Sequence, residues 1–301
     1  MPDTGLLVLR VSREHLVVAG EGGRPLAAFT KRRSRIVVGD RVEVREHSDR
    51  LEAVRVLPRQ SVLRRREEDG ERVLAANVDR LVIVTAVGVQ FRPGLVDRLL
   101  VAAEVDGIVP IIVLNKMDLP EADATVAEAA RYERIGYRLR PTSVVTGQGI
   151  DALAADLHGH VSALVGHSGV GKSSLLNTLA PGAARAVAAV NPVTGKGRHT
   201  TSVAEGYPFD GGILIDLPGV REFGLAGVTP RRLTEAMPDL RAVAEGCRFA
   251  DCLHRVEPGC AVREAVHSGA VDPARYRSYL RMLETLLNPD VYTRDLEADL
   301  V

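Results

Sequence analysis

The sequence predicts a multi-domain chain: an all-β barrel first, then an α/β unit on a parallel sheet, then a helical unit that holds a metal. Three observations predict it. Short apolar or alternating runs fill residues 5–66. Strand-like and helix-like runs then alternate as far as the "LID" of Leu214–Asp216. All three cysteines of the 301 residues fall between 247 and 260. A chain of this length has room for two or three domains.

The first segment reads as "LLVLRV", "HLVVAG", "PLAAF", "RVEVRE" and "LEAVRVL", with Gly39-Asp40 as a turn. Five short strands of this kind suit an OB-fold barrel, expected over residues 1–66. The chain balances 39 Lys+Arg against 39 Asp+Glu, but residues 1–66 carry 15 against 8. A basic segment on a neutral protein points to a polyanionic partner. "KRRSR", Lys31 to Arg35, and Arg64 to Arg66 carry much of that charge, and Phe29 is the segment's sole aromatic residue. Contacts to a nucleic-acid backbone with steep salt dependence are therefore expected, with little stacking or sequence readout.

The second segment, 67–224, opens with the apolar strand "RLVIVTAV" and a helix beginning at "PGLVDRLL". Strands follow at "VPIIVLN", "YRLRPTSV", "VSALVGHS" and "GGILIDLPG", separated by helices at "EADATVAEAARYERIG", "IDALAADLHG" and "SSLLNTLA". Alternation of this kind predicts a parallel sheet covered on both faces. Residues 181–200, rich in Pro, Gly and Asn, read as a loop. The third segment, 225–301, reads as helices at "TPRRLTEAM", "CAVREAVHSG" and "DPARYRSYLRMLETLLN", the last capped by Asp272 with Pro273 at its first position. A broken N-terminal apolar run and the lack of a spanning stretch predict a cytoplasmic protein with no membrane partner. A monomer is expected.

"GHSGVGKSS" comprises Gly166, His167, Ser168, Gly169, Val170, Gly171, Lys172, Ser173 and Ser174. It satisfies G-x-x-x-x-G-K-[ST] between a strand and a helix, as a P-loop does. Glycines let backbone N–H groups turn toward phosphate, Lys172 neutralises phosphate oxygens, and the Ser173 hydroxyl reaches Mg²⁺. "NKMD" stands earlier in the chain, at a strand's C-terminal end, where open α/β sheets bind ligands. Asp118 can accept from both N1–H and the N2 amine of guanine, and adenine has neither donor. Asn115 would contact the base edge, and the stem of Lys116 would lie along its face. Ser143 leads a loop, "TSVVTGQGI", suited to reading the guanine O6.

"DLPG" offers Asp216 for Mg²⁺ and the Gly219 amide for the γ-phosphate. "GKGRHTTS" offers Thr200 and Thr201 as switch hydroxyls for the metal, with Thr201 favoured. Val220 follows Gly219 and cannot orient a water, which predicts slow intrinsic hydrolysis. His199 is the nearest group that could do so. Lys172, His199 and Thr201 are thus read as catalytic. GTP/GDP and Mg²⁺ are the expected ligands of a central α/β P-loop GTPase domain. The motif order is that of an ordinary GTPase cut after "DLPG" and rejoined, a circular permutation that leaves the spatial site intact. The alternatives are a P-loop ATPase or kinase with an accidental "NKMD", and an RNA-binding module that binds GTP with little hydrolysis. His167 receives no physical role.

Cys247, Cys252, His254 and Cys260 form C-x4-C-x-H-x5-C. Three thiolates and an imidazole suit one closed, structural zinc ion in a C-terminal helical zinc-binding domain.

With these residues in view, the chain resembles the circularly permuted, small-ribosomal-subunit-dependent GTPases (the RsgA or YjeQ family). The likeness runs through "VGDRVEV", "AANVDRLVIV", "VLNKMDL", "GHSGVGKSSLLN", "GRHTTSV", "DLPGVREFGL" and "CRFADCLHRVEPGCAVREAV". The resemblance implies GTP hydrolysis stimulated by the small ribosomal subunit, a role in late maturation of that subunit, and ribosomal RNA as the bound surface. Members often carry Gln or Pro at the place of His167 and Thr at that of Ser202. His167 lies in the variable part of the loop, so nucleotide binding is expected to survive.

Overall fold

A computed structural model describes residues 5–31, 36–47, 50–67, 70–183, 187, 204–217 and 225–288. Strands β1 (Leu6–Ser12), β2 (His15–Ala19), β3 (Pro25–Phe29), β4 (Arg41–His47) and β5 (Arg50–Val56) close into a barrel of order β1-β2-β3-β5-β4. Alternation drives it: Val8, Leu16, Val18, Val42 and Ala53 point inward and form its core. The predicted Gly39-Asp40 turn is reinforced from below. Asp40 is fully buried and receives the Arg59 guanidinium through bonds of 2.7 and 2.8 Å.

A hairpin that the sequence reading did not separate follows, β6 (Val62–Glu67) with β7 (Gly70–Ala76). It stands between barrel and sheet. Val38 bridges to Ala75, and Arg64 lies 3.7 Å from Asp106.

The central sheet has the order β10-β9-β8-β11-β13-β12. Its strands are β8 (Arg80–Ala86), β9 (Val109–Asn115), β10 (Arg138–Pro141), β11 (Val161–Val165), β12 (Glu205–Phe209) and β13 (Gly212–Asp216). All are parallel except β12, which runs antiparallel on the edge. Helices α1 (Pro93–Val105), α2 (Ala122–Arg134), α3 (Ile150–Leu157) and α4 (Lys172–Leu179) connect the parallel strands. Strands covered on two faces must be apolar throughout, and β8, β9 and β11 are buried along nearly their whole length.

The helical unit comprises α5 (Pro230–Glu235), α6 (Pro238–Ala244), α7 (Ala261–His267) and α8 (Pro273–Leu287). Helix α8 has the expected cap, since the Ala274 N–H donates to Asp272 at 2.7 Å. Its core of Leu233, Met237, Leu240, Val262, Tyr279 and Met282 also takes in Val101 from α1. Arg275 of α8 closes that junction: it is 1 % exposed and bonds Asp97 of α1 at 2.6 Å and Asp239 of α6 at 2.7 and 3.0 Å.

Candidate functional site

The parallel strands end together. In register, Leu114 lies beside Thr85 and Ala86 beside Asn115, while Leu164 lies beside Asp216. The segments that follow β8, β9, β11 and β13 therefore meet at one rim, the C-terminal edge where such sheets bind ligands.

Gly166 through Gly171 form the turn from β11 into α4. Two glycines are forced by close approach. A Cβ on Gly166 would lie 2.1 Å from the Val84 carbonyl oxygen, and one on Gly171 (φ +95) would lie 2.4 Å from Asn115 Nδ2. The second contact ties the loop to the predicted clamp. Asn115 is buried, donates from Nδ2 to the Val170 carbonyl at 2.9 Å, and accepts from Thr142 Oγ1 at 3.3 Å. The predicted phosphate loop and clamp are thus joined by a hydrogen bond, although "NKMD" precedes the loop in the chain.

Lys172 opens α4 and folds back to donate to the carbonyls of Gly166 and His167. Burial pushes its ammonium pKa down, and Asp216 partly restores it. Burial likewise raises the Asp216 carboxyl, with Lys172 opposing. The two groups are thus partly withdrawn from water and act on each other, a setting in which electrostatic contacts are stronger than at an open surface. Ser173 and Ser174 stand exposed on the first turn of α4, and Ser168 and Gly169 are exposed in the loop.

In the predicted guanine clamp, Asp118 is exposed and its Oδ1 accepts from Ser143 Oγ. Ser143 itself is fully buried and organises its loop. Its N–H donates to Gln148 O at 3.0 Å, its carbonyl accepts from Gly147 N–H at 2.9 Å, and its hydroxyl accepts from Thr146 N–H at 3.2 Å. Lys116 adopts φ +65, an uncommon conformation for a residue with a side chain. His199, Thr200, Thr201 and Gly219 lie outside the described residues, as does Val220.

His167, to which the sequence assigns no role, has a partner in the fold. His167 pairs through Nε2 with the Gln90 carbonyl at 3.0 Å, and Thr85 Oγ1 donates to the same oxygen at 3.0 Å. Gln90 ends a 3-10 turn after β8, in a stretch, "AVGVQFRPG", that matches no motif. Its position beside the phosphate loop depends on the sheet order alone.

The second constellation is local in sequence. Cys247 follows α6, Cys260 caps α7, and His254 sits between them at φ +58. His254 Nδ1 lies 3.5 Å from Cys247 Sγ and 3.4 Å from Cys260 Sγ, and those sulfurs are 4.0 Å apart. All four donor atoms, with Cys252, fall within 4.8 Å of one another. Zinc bond lengths in a tetrahedron require separations of about 3.8 Å between sulfurs and about 3.6 Å from sulfur to nitrogen. The donor set fits a zinc ion.

Burial and the neighbouring thiols push Cys252 up to about 12, so a cation is what would bring thiolates into this cluster. Two tyrosines of α8 hold the loop from behind. Tyr276 donates to the His254 carbonyl at 2.6 Å and Tyr279 to the Leu253 carbonyl at 3.0 Å. Burial works to raise the Glu257 carboxyl, but its own backbone N–H and those of Leu253, Arg255 and Val256 hold it down at about 2.

Of the basic groups expected to meet RNA, Lys31 pairs with Glu52 at 3.2 Å and lies over the Phe29 ring. Residues 32–35 lie outside the described residues. Arg64 faces Glu71 across the hairpin and Asp106 at the end of α1.

Known proteins share the sequence and the fold. The family model described as RsgA GTPase matches residues 56–226. A "Small ribosomal subunit biogenesis GTPase RsgA" from Gemmatimonas aurantiaca is 42% identical over 261 residues, spanning 84% of this chain and 85% of that protein. One of the same name from Azotobacter vinelandii is 45% identical, spanning 85% and 76%. Among solved structures, YjeQ from Thermotoga maritima superposes with a TM-score of 0.75 at 31% identity, covering 94% of this chain and 98% of its own. YloQ, described as a circularly permuted GTPase, gives 0.74 at 27% identity, covering 94% and 95%. A clamp that precedes its phosphate loop in the chain but is bonded to it in space is what a circular permutation of a GTPase produces, and this chain belongs to the RsgA GTPase family.

Proposed function

We propose that the chain hydrolyses GTP to GDP and phosphate, is stimulated by the small ribosomal subunit, and acts in the late maturation of that subunit. One observation carries the guanine-nucleotide reading. The Asn115–Val170 bond joins an "NKMD" clamp to a G-x-x-x-x-G-K-S loop at the rim of one sheet. In this reading Asp118 accepts from the guanine edge, Lys116 lies along its face, and the Ser143 loop reads O6. The 166–174 loop and Lys172 hold the phosphates. Ser173, Asp216 and Thr201 are the residues to hold Mg²⁺, which when bound neutralises charge on the β- and γ-phosphates. His199 orients water, Gly219 meets the γ-phosphate, and Cys247, Cys252, His254 and Cys260 hold a structural zinc. The partner is ribosomal RNA in the cytoplasm, met through the basic barrel surface.

Turnover of GTP by the purified chain, with and without small subunits and across salt concentrations, tests the reading. Stimulation that weakens as salt rises is expected. An unstimulated rate at every salt concentration would remove the subunit-dependent role. Asp118→Asn separates a GTPase from an ATPase: preference should pass from guanine to xanthine nucleotides. Loss of His199 tests the water-orienting role, and a stimulated rate unchanged in His199→Ala excludes it.

A further inference from the structure

Gln90 stands at a junction that no motif predicts. Its carbonyl oxygen takes His167 Nε2 and Thr85 Oγ1, each at 3.0 Å, which fixes the 3-10 turn against the phosphate loop. Its side chain faces the clamp. Oε1 accepts from Lys116 Nζ at 3.0 Å. The amide nitrogen, Nε2, reaches the other way and lies 3.1 Å from where a Cβ on Gly169 would stand. One amide therefore spans the space between the clamp lysine and the phosphate loop, and one residue touches both halves of the pocket.

Lys116 needs such a partner. Its backbone is at φ +65. Its N-terminal neighbour Asn115 is locked into the loop, and the Met117 N–H is bonded to Thr142 O at 3.0 Å. The direction of the stem is thus set by the backbone, but its tip is free to sweep unless it is held. A long lysine stem loses rotamer freedom when it is ordered. An acceptor in place before the base arrives removes part of that loss from the binding step.

We propose that Gln90 is a positioning residue for the guanine pocket, which holds the Lys116 stem in the plane where a purine ring stacks and couples that plane to the phosphate loop. The inference rests on the GTPase reading of the preceding subsection. It predicts a defect common to purine nucleotides that Asp118 accepts, because the stem meets the ring face and not the edge that Asp118 reads.

Equilibrium titration of the full chain with fluorescent GDP, competed by GDP and by IDP, tests it. Gln90→Leu keeps the volume and removes the acceptor. It should weaken GDP and IDP alike by on the order of tenfold, as expected for losing a hydrogen bond to a charged group. In turnover the loss should appear in KM. In a Lys116→Met background the same change should have little effect, because the group it acts through is gone. Gln90→Asn, with the same amide on a shorter stem, should recover part of the affinity. Full affinity in Gln90→Leu overturns the proposal, and so does an equal loss with and without Lys116. Wild-type chain that fails to prefer GDP over ADP would instead overturn the GTPase reading itself, so the two failures are distinguishable.

Discussion

Arg275 is where the helical unit is fastened to the nucleotide-binding sheet, and its removal gives the sharpest stability test. Its side chain is 2 % exposed, as is that of Asp97, and that of Asp239 is 6 % exposed. Arg275→Ala leaves two buried carboxylates facing each other across α1 and α6 with no cation between them. Breaking a buried pair in this way costs about 3–5 kcal/mol. The melting temperature should therefore fall by on the order of 10 °C. A second variant isolates the cause. Arg275→Met combined with Asp97→Leu and Asp239→Leu fills the same space without charge, and replacements of that type are often neutral or stabilising.

The pH dependence supplies an independent sign. Burial raises the Asp97 carboxyl in the folded protein, and Arg275 opposes that rise. Without Arg275 the folded pKa climbs further above its unfolded value. A raised carboxyl binds more protons folded than unfolded, so stability falls as pH rises through the folded pKa and recovers as pH falls. The deficit of Arg275→Ala relative to wild type should narrow between pH 8 and pH 5, read from thermal melts at each pH. A deficit below about 1 kcal/mol, or one that does not change with pH, would refute the buried-charge account.

Three further outcomes follow from the geometry. Cys260→Ser should reduce bound zinc, measured by metal analysis of the purified chain, and should lower amide-exchange protection through α7 and α8, because that cysteine both joins the cluster and caps α7. Asp106 is pushed up to about 6 by burial, against the pull of Arg64 and Arg232. Its charged form is thus disfavoured in the fold, stability is lost as pH rises through about 6, and Asp106→Asn should raise the melting temperature at pH 8 but not at pH 4. Gly171→Ala places a methyl group where the Asn115 amide stands, at a backbone φ of +95. Nucleotide affinity, read by titration with fluorescent GDP, should drop by at least about tenfold, since both the clamp bond and the loop turn are disturbed.

What could be read from the sequence divides along physical lines. The barrel strands were legible because inward positions alternate with solvent, and each observed strand lies within a few residues of its apolar run. Strands β8, β9 and β11 were legible because burial on both faces demands unbroken apolar runs. The hairpin β6–β7 escaped, since "VLRRRE" is charged on four of its six residues, "GERVLAA" opens on Gly, Glu and Arg, and the two pair mainly with each other. Strand β12, "EGYPF", escaped because Gly206 and Pro208 read as loop. An edge strand tolerates proline where an interior strand does not. Helix α6 escaped because it begins at Pro238, only three residues after α5 ends, where a proline reads as a stop. The cysteine cluster was legible because its ligands are neighbours in the chain. The contacts of Arg275 with Asp97 and of Gln90 with His167 join residues 178 and 77 apart, and only the fold brings them together.

The edge strand β12 also bears on how the three units depend on one another. Arg10 of β1 pairs with Glu205 of β12 at 3.0 Å, and a Cβ on Gly206 would lie 3.3 Å from the Leu9 backbone. The barrel therefore rests on the open side of the central sheet at backbone distance. An uncovered edge strand is a template onto which another chain can add. The barrel is in that sense a shield as well as the proposed RNA-facing surface. A shortened chain that starts after the barrel would present Glu205–Phe209 to its own copies, and self-association would be its first symptom, before any loss of catalysis.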